Sequence, residues 1–363
     1  MIEFFSIRLQ RYRLLRNVQG GKAFFSNFSI FYRNKHLLRI LVDCLFKDLY
    51  MKQSFLITCL CILGFSVLAQ RPAYLRKDSI RSSLDGVTQV FYYDKSTSGS
   101  PQPLVVELHS WSNSADSQMG MIATQVHAKN WNYLFPNFRG VNNHPKACCS
   151  EFVLSDIDEA IDWALKNLKV DRKQIYVVGF SGGGYATLST YMRSRHAIRG
   201  FSAWASISDL EAWYAQSVER KNKYAAEIVQ CTGANGAFDA EKARARSPLF
   251  WETPVGKRKN SLLQIYVGVH DGYTGSVPIS QSINFYNKLL KDFKEKDQAR
   301  YVSVEDKELM LKTRSFPVTQ PSKNIGDRVI LYQKTAKNIG FTVFEGTHEI
   351  LYGEVLGGML GQK

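Results

Sequence analysis

The chain has 363 residues, 45% of them hydrophobic, and its lysines and arginines outnumber its acidic residues by 15. The basic residues are scattered apart from the run 257–259, and no aromatic residues are interleaved with them, so we predict no nucleic-acid partner. No Cys or His spacing resembles a zinc site, so we predict no metal.

The N-terminal region differs in character from the rest. The segment MKQSFLITCLCILGFSVLAQ, beginning at Met51, has a basic start, an apolar core over 55–65 and small residues before Gln70, which is typical of a secretory signal peptide. This core is too short to span a bilayer, which takes about twenty residues. We therefore predict a cleaved signal peptide over 51–69, with membrane contact only through it, and a periplasmic or secreted protein.

Residues 1–50 then have no clear place in an exported protein. We expect them to be a basic extension, either disordered or upstream of a true start at Met51. The alternative is a cytoplasmic basic arm followed by a signal anchor, because positive charge stays on the cytoplasmic side. Residues 70–363 are expected to form the folded domain.

Seven runs of β-branched and aromatic residues alternate with helical segments, which is typical of an α/β fold with a doubly wound, mostly parallel sheet. The clearest helix is predicted to begin at Asp156, with Ser155 as its N-cap. The charged segment 294–328 is predicted to be an exposed hairpin or loop. The strand-like runs lie at 88–93, 104–108, 133–136, 175–179, 200–205, 262–269 and 341–344.

The fourth run leads into Gly179-Phe180-Ser181-Gly182-Gly183, the G-x-S-x-G pattern of a nucleophile elbow. A serine on a sharp turn between a strand and a helix leaves no room for a Cβ two residues before or after it. Gly179 and Gly183 meet that requirement. We therefore predict Ser181 as a nucleophile, with the backbone N–H of Gly182 facing an oxyanion.

A serine needs a base to remove its proton and an acid to orient that base. His270 and His348 are the two histidines that lie well beyond the elbow helix, and His348 follows the last strand-like run. We predict His348 as the base and Asp271, at the end of the 262–269 run, as the acid. Asp209, which follows the preceding run, is the alternative acid, and otherwise we expect it to be a helix-start or pocket residue.

The second oxyanion donor is expected from the loop after the 104–108 run. That loop reads His109-Ser110-Trp111-Ser112, and we assign the backbone N–H of Trp111 to the oxyanion hole. The side chains of His109 and Trp111 could equally be packing groups beneath the site.

From about Arg81 to the C terminus, these motifs resemble the prolyl oligopeptidase and acetyl xylan esterase branch of the α/β-hydrolase fold. The resemblance rests on LHSWS, PNFRG, SDIDEAIDWAL, VDRKQIYVVGFSGGG, RSPLFW, SVPISQS and GTHEI, in this order. One departure is that the branch usually places the acid three residues before the valine of its Val-Pro pair. Here Asp271 lies six residues before Val277, which indicates a small insertion.

The resemblance implies an eight-stranded sheet with a cap insertion, residues 210–260, between the sixth and seventh strands. Five residues are candidates for the substrate pocket, four from these motifs and the cap and one, Asp209, directly before the cap. These are Phe180, Arg139, Asp209, Trp213 and Trp251.

Three cysteines lie outside the N-terminal region. In an oxidising compartment, Cys148 or Cys149 could pair with Cys231 and brace the loop after the 133–136 run against the cap. The resemblance favours Cys148, because relatives carry a single cysteine at that place.

The resulting hypothesis is an exported, cofactor-free serine hydrolase that works through an acyl-enzyme. The resemblance implies an ester substrate, an acetyl or feruloyl ester on a polysaccharide or a small molecule. The alternative is a serine peptidase that cuts short peptides with the same triad. A catalytically inactive binding protein is the third hypothesis, and the intact elbow and late histidine argue against it.

Overall fold

A ten-stranded sheet forms the centre of the fold in this computed structural model, which describes residues 71–118, 120–233, 236–318 and 322–360. The predicted basic extension (1–50) and signal peptide (51–69) lie outside the described residues. None of the helices in the described ranges is long and apolar enough to cross a bilayer.

The strands are β1 (Arg76–Arg81), β2 (Thr88–Asp94), β3 (Gln102–Leu108), β4 (Asn132–Pro136), β5 (Val170–Phe180), β6 (Gly200–Trp204), β7 (Leu262–Gly268), β8 (Asn324–Ile325), β9 (Arg328–Ala336) and β10 (Ile339–Phe344). Their order across the sheet is β1-β2-β4-β3-β5-β6-β7-β10-β9-β8. The strands from β4 to β10 in this order are parallel to one another, whereas the pairs at the two edges are antiparallel. The sheet is therefore the mostly parallel, doubly wound sheet of an α/β-hydrolase.

The helices are α1 (Ala123–Ala128), α2 (Glu151–Asn167), α3 (Gly182–Arg193), α4 (Leu210–Glu219), α5 (Tyr224–Thr232), α6 (Ala240–Ala245), α7 (Val255–Arg258), α8 (Ser280–Asp292), α9 (Val304–Thr313) and α10 (Val355–Leu360). Short 3₁₀ turns lie at Pro248–Phe250, Gln298–Arg300 and Tyr352–Glu354.

Alternate residues of the central strands enter two separate hydrophobic cores. Val106 and Val177 pack in one core with residues of α2, α3 and α8. Val105 and Val178 pack in the other core with residues of α1 and α10. Because side chains of a strand point to opposite faces in turn, these apolar runs require helices on both faces of the sheet.

The carboxyl ends of the parallel strands are aligned at one edge of the sheet. Leu108 pairs with Gly179, Gly179 with Ala203, and Gly268 with Phe344. The segments that follow β3, β5, β7 and β10 therefore leave the sheet close together. Ligand sites of open α/β sheets lie at this edge.

Each of the seven predicted strand-like runs overlaps a strand, but the sheet has ten strands rather than the predicted eight. The run of β1 shows no hydrophobic pattern, because its residues are exposed except for the half-buried Ile80. It joins the sheet edge through backbone pairing with β2. β8 and β9 extend the opposite edge beyond β10.

Two helix predictions need correction. The helix predicted from Asp156 begins at Glu151, because buried Val153 extends the apolar face of α2 by a turn. Ser155 is therefore not an N-cap, and its hydroxyl donates to Glu159 Oε1 at 2.7 Å within the helix. The segment 294–328, predicted as a hairpin or loop, contains α9, which Ser303 caps through Asp306 N.

Four helices, α4 to α7, lie between β6 and β7 within the stretch predicted as the cap insertion, residues 210–260. A disulfide joins Cys231 in α5 to Cys148 in the loop between β4 and α2, which is the pairing that the resemblance favours. The thiol of Cys149 remains free and buried, and burial raises its pKa to about 12.

Candidate active site

The elbow predicted from the glycine spacing is present between β5 and α3. Ser181 has φ 58° and ψ −117°, a conformation that non-glycine residues seldom adopt. A Cβ on Gly179 would lie 2.1 Å from Gly183 O, and a Cβ on Gly183 would lie 2.1 Å from Leu108 O. Both positions therefore exclude any side chain, and the turn holds the serine hydroxyl at the carboxyl edge of the sheet.

Three side chains from three different strand ends meet in one hydrogen-bonded chain. Ser181 Oγ lies 2.9 Å from His348 Nε2, and His348 Nδ1 lies 2.7 Å from Asp271 Oδ2. The serine and the aspartate are both buried. This is the geometry of a nucleophile, a base and an orienting acid. His270, the other late histidine, instead places its Nε2 2.7 Å from Glu345 Oε1.

Backbone amides hold the second oxygen of the Asp271 carboxylate. Asp271 Oδ1 accepts hydrogen bonds from Gly272 N at 2.9 Å and from Val277 N at 3.0 Å. The intervening residues, which include the small insertion, curve around the carboxylate so that Val277 N still reaches it. Gly275 packs on this curve, and a Cβ there would lie 2.3 Å from Asp271 Oδ1 and 2.5 Å from His348 Cβ.

Asp209, the alternative acid, occupies a different place. It is the N-cap of α4, where its Oδ1 accepts a hydrogen bond from Ala212 N at 3.0 Å. Burial raises the pKa of its carboxyl, and its backbone is tied to Gln281. The ring of His348 has Asp271 as its carboxylate partner, so the geometry favours Asp271 as the acid.

The two predicted oxyanion donors lie side by side. A Cβ built on Gly182 would lie 2.2 Å from the backbone N of Trp111, so Gly182 packs directly against the loop after β3. The carbonyl of Trp111 accepts hydrogen bonds from Asn142 N at 2.9 Å and from Asn142 Nδ2 at 3.3 Å, and these fix the loop after β3. The arrangement can present two N–H groups to one oxygen.

Two of the five predicted pocket residues lie beside these groups. The ring centroid of Phe180 is 4.7 Å from that of His348. The indole of Trp213 packs edge-on against Trp111 at 4.7 Å, and its Nε1 donates to Ser276 O at 3.0 Å. Trp213 therefore contacts both the loop after β3, residues 109–112, which we call the oxyanion loop, and the loop that follows Asp271.

The pocket prediction is wrong for Arg139. Its guanidinium is buried between Asp85 and Asp156, with Nη1 2.7 Å from Asp85 Oδ2 and Nε 2.5 Å from Asp156 Oδ2. Burial opposes the charge, but these two carboxylates outweigh it and raise the pKa of Arg139. The side chain ties the start of the domain to α2 and is not available to a substrate.

The remaining two pocket candidates make their contacts elsewhere. Asp209 uses its carboxylate at the N terminus of α4, which is the helix-start position expected as its alternative. Trp251 donates from Nε1 to Ala245 O at 2.8 Å and lies beneath Arg193. It lines a cavity of about 460 Å³ with Cys149, Phe152 and other residues. Ser181, His348 and Asp271 do not line this cavity.

Sequence reasoning missed the groups that hold the loop after Asp271. The guanidinium of Arg220, at the end of α4, donates to Gly275 O. No spacing rule links the two positions, which are 55 residues apart. Within the described part of the chain, no group of three or more His, Cys, Asp or Glu side chains is arranged to hold a metal ion.

The fold and the Ser-His-Asp geometry define a serine hydrolase of the α/β-hydrolase class. The profile of the prolyl oligopeptidase family matches residues 124–308, about half of the chain, and the protein belongs to this family. The matched stretch includes Ser181 and Asp271.

Several solved structures are similar to this chain. One is the acylaminoacyl peptidase of Pyrococcus horikoshii, at 20% identity and a TM-score of 0.48, covering 64% of this chain and 37% of that one. A puromycin-hydrolyzing peptidase of Mycobacterium tuberculosis has 16% identity and a TM-score of 0.48, covering 61% and 35%. Prolyl oligopeptidase B of Galerina marginata has 15% identity and a TM-score of 0.49, covering 66% and 36%. The chain matches little more than a third of the length of these proteins.

Proposed function

We propose that the protein is a serine peptidase that cleaves short peptides through an acyl-enzyme. The observation that carries the proposal is the chain from Ser181 Oγ to His348 Nε2 at 2.9 Å and from His348 Nδ1 to Asp271 Oδ2 at 2.7 Å. Membership of the prolyl oligopeptidase family supports a peptide substrate.

The mechanism follows from this geometry. His348 Nε2 takes the proton of Ser181 as Oγ attacks the scissile carbonyl carbon, and Asp271 stabilises the imidazolium that forms. The backbone N–H groups of Gly182 and Trp111 bind the oxyanion of the tetrahedral intermediate. His348 then gives its proton to the leaving amine, so the C–N bond breaks and an ester to Ser181 remains. Water, deprotonated by His348, attacks that ester and releases the acid and the free serine.

The same groups can hydrolyse an ester, and the predicted carbohydrate esterase therefore remains a prediction. Peptide and ester differ at the leaving group, because an amine must be protonated before it leaves and an alkoxide leaves more readily. Activated p-nitrophenyl esters do not separate the two functions, since a peptidase triad also accepts them. Unactivated substrates are needed.

The test compares purified protein on short peptide amides, acetylated xylan and methyl ferulate, with Ser181→Ala as the control for contaminating activity. We expect cleavage of peptide amides that disappears in the control. Turnover confined to acetylated xylan or methyl ferulate would replace the peptidase proposal with the esterase. No turnover of any substrate would favour the inactive binding protein.

We also propose that the protein is exported. The predicted signal peptide over 51–69 is the main support. The disulfide between Cys148 and Cys231 adds independent support, because structural disulfides persist in oxidising compartments and are rare in a reducing cytoplasm.

A further inference from the structure

A side chain of the cap insertion is hydrogen-bonded to the residue that carries the second oxyanion donor. Trp111 Nε1 donates to Glu227 Oε2 at 2.7 Å, across 116 residues of sequence. Trp111 is only 2% exposed, so its indole N–H depends on this carboxylate for a partner. The proposed mechanism uses the backbone N–H of Trp111 and gives no role to Glu227.

A second contact fixes the neighbouring residue of the same loop. Lys223 Nζ donates to Ser112 Oγ at 2.6 Å and lies 3.1 Å from Glu227 Oε1. Glu227 is in the first turn of α5, where the helix dipole favours a carboxylate. The start of α5 therefore holds two consecutive residues of the oxyanion loop.

The other end of α5 is attached to the body of the domain. Cys231 is bonded to Cys148, and its carbonyl accepts a hydrogen bond from Arg246 Nη1 at 2.9 Å. Arg246 also donates to Ala147 O at 3.2 Å. The position of the Glu227 carboxylate is thus set by groups that do not belong to the oxyanion loop.

We propose that Glu227 is a positioning residue that holds the backbone N–H of Trp111 in place for the oxyanion. The proposal rests on the proposed function, since it requires acyl transfer at Ser181. Stabilisation of an oxyanion depends on donors already placed at about 2.7–3.1 Å from it, so a small displacement of the loop weakens the transition state. The cap insertion then contributes to the rate of the reaction.

The test compares Glu227→Gln with Glu227→Met. Gln keeps an oxygen that can accept from the indole N–H, whereas Met has a similar size and no acceptor of comparable strength. We expect Glu227→Met to lower kcat about tenfold with KM changed less than twofold, because the oxyanion exists only in the transition state. Glu227→Gln is expected to retain most of the parent kcat. Glu219→Gln, an exposed acid at the end of α4, is the matched control.

A double-mutant cycle separates positioning from general damage to the fold. Trp111→Phe removes the indole N–H and keeps the backbone donor. In that background, Glu227→Met should cause little further loss, because the interaction that it removes is already absent. Thermal unfolding of each variant checks that the compared proteins are folded.

Three results would overturn the proposal. One is a kcat of Glu227→Met within twofold of that of the parent. Another is a rise in KM with kcat unchanged. The third is a loss from Glu227→Met that is as large in the Trp111→Phe background as in the parent. The parent rate tests the proposed function separately, since a parent that turns over neither peptide amides nor p-nitrophenyl acetate contradicts both.

Discussion

Two aspartates, the buried Asp271 and the partly buried Asp209, follow neighbouring strands, and their hydrogen bonds indicate different roles. One carboxylate oxygen of Asp271 is hydrogen-bonded to His348. The other accepts hydrogen bonds from Gly272 N and Val277 N. Asp209 uses its carboxylate to cap α4. A carboxylate committed to a helix N terminus stabilises that helix by about 1 kcal/mol and does not orient an imidazole elsewhere.

The first prediction concerns the triad. Ser181→Ala and His348→Ala should each lower kcat by about 10⁴-fold or more, and Asp271→Asn by a similar factor. Asp209→Asn should retain most of the activity, because Asn still caps a helix. Steady-state kinetics measure the rates, and circular dichroism checks the fold. An inactive Asp209→Asn beside an active Asp271→Asn would transfer the role of the acid to Asp209.

The residues of the elbow could be predicted because the constraint on them is local. A turn that excludes a Cβ at Gly179 and Gly183 is visible in the spacing of five residues. The role of Arg139 could not be predicted, because its partners Asp85 and Asp156 meet it only in the folded chain. Its motif placed it near the site, but the sequence carries no sign of the two carboxylates that surround it.

The second prediction tests this structural role of Arg139. Arg139→Met should lower the free energy of unfolding by about 3–5 kcal/mol, because it leaves the buried Asp156 without its cation. Burial already raises the pKa of Asp156, and the substitution removes the main opposing interaction. Urea denaturation measures the change. Adding Asp156→Asn should recover part of the loss, and KM of the folded Arg139→Met variant should stay near that of the parent.

If Arg139 contacts substrate instead, the outcome reverses. KM would rise several-fold while the free energy of unfolding changed little, and Arg139 would then be assigned to the substrate pocket.

At the scale of elements, the buried strands were predictable and the edges were not. The central strands must be apolar on both faces because helices cover both, and this gives continuous hydrophobic runs. β1 is held by backbone hydrogen bonds to β2, which any sequence can make. α9 has Met310 as its one fully buried side chain, so its residues show little of the periodicity that identifies a helix.

The third prediction concerns the attachment of α5. Closing a loop of 83 residues through Cys148 and Cys231 should stabilise the fold by up to about 4.5 kcal/mol, mainly by restricting the unfolded chain. The double variant Cys148→Ser, Cys231→Ser should lose about that much in urea denaturation. Both cysteines are replaced together so that the adjacent Cys149 cannot pair with a remaining thiol.

Cys149→Ala is the matched control for this measurement. It removes a buried thiol without opening the loop, so its cost should be about 1 kcal/mol. A double variant no less stable than this control would show that packing and the Arg246 hydrogen bonds hold α5 without the disulfide.

At the scale of the whole molecule, the disulfide and the N-terminal sequence both bear on whether the protein is exported. The folded domain contains a disulfide, a bond that is rare in a reducing cytoplasm, and a segment typical of a signal peptide precedes that domain. The export proposal implies that the disulfide forms only after the chain has left the cytoplasm. Localisation and disulfide content should then change together.

The last prediction follows from this dependence. Expression of the chain from Met51 in a Gram-negative host should give a periplasmic or secreted product that begins at Gln70, because the small residues before Gln70 fit a cleavage site. Intact mass spectrometry and non-reducing peptide mapping should find this N terminus together with the Cys148–Cys231 bond. Leu63→Arg, which places a charge in the apolar core of the segment, should keep the protein in the cytoplasm with the segment uncleaved and the two thiols reduced. An exported product whose mass still includes residues 55–65 would show a membrane anchor, and a parent protein found only in the cytoplasm would contradict export itself.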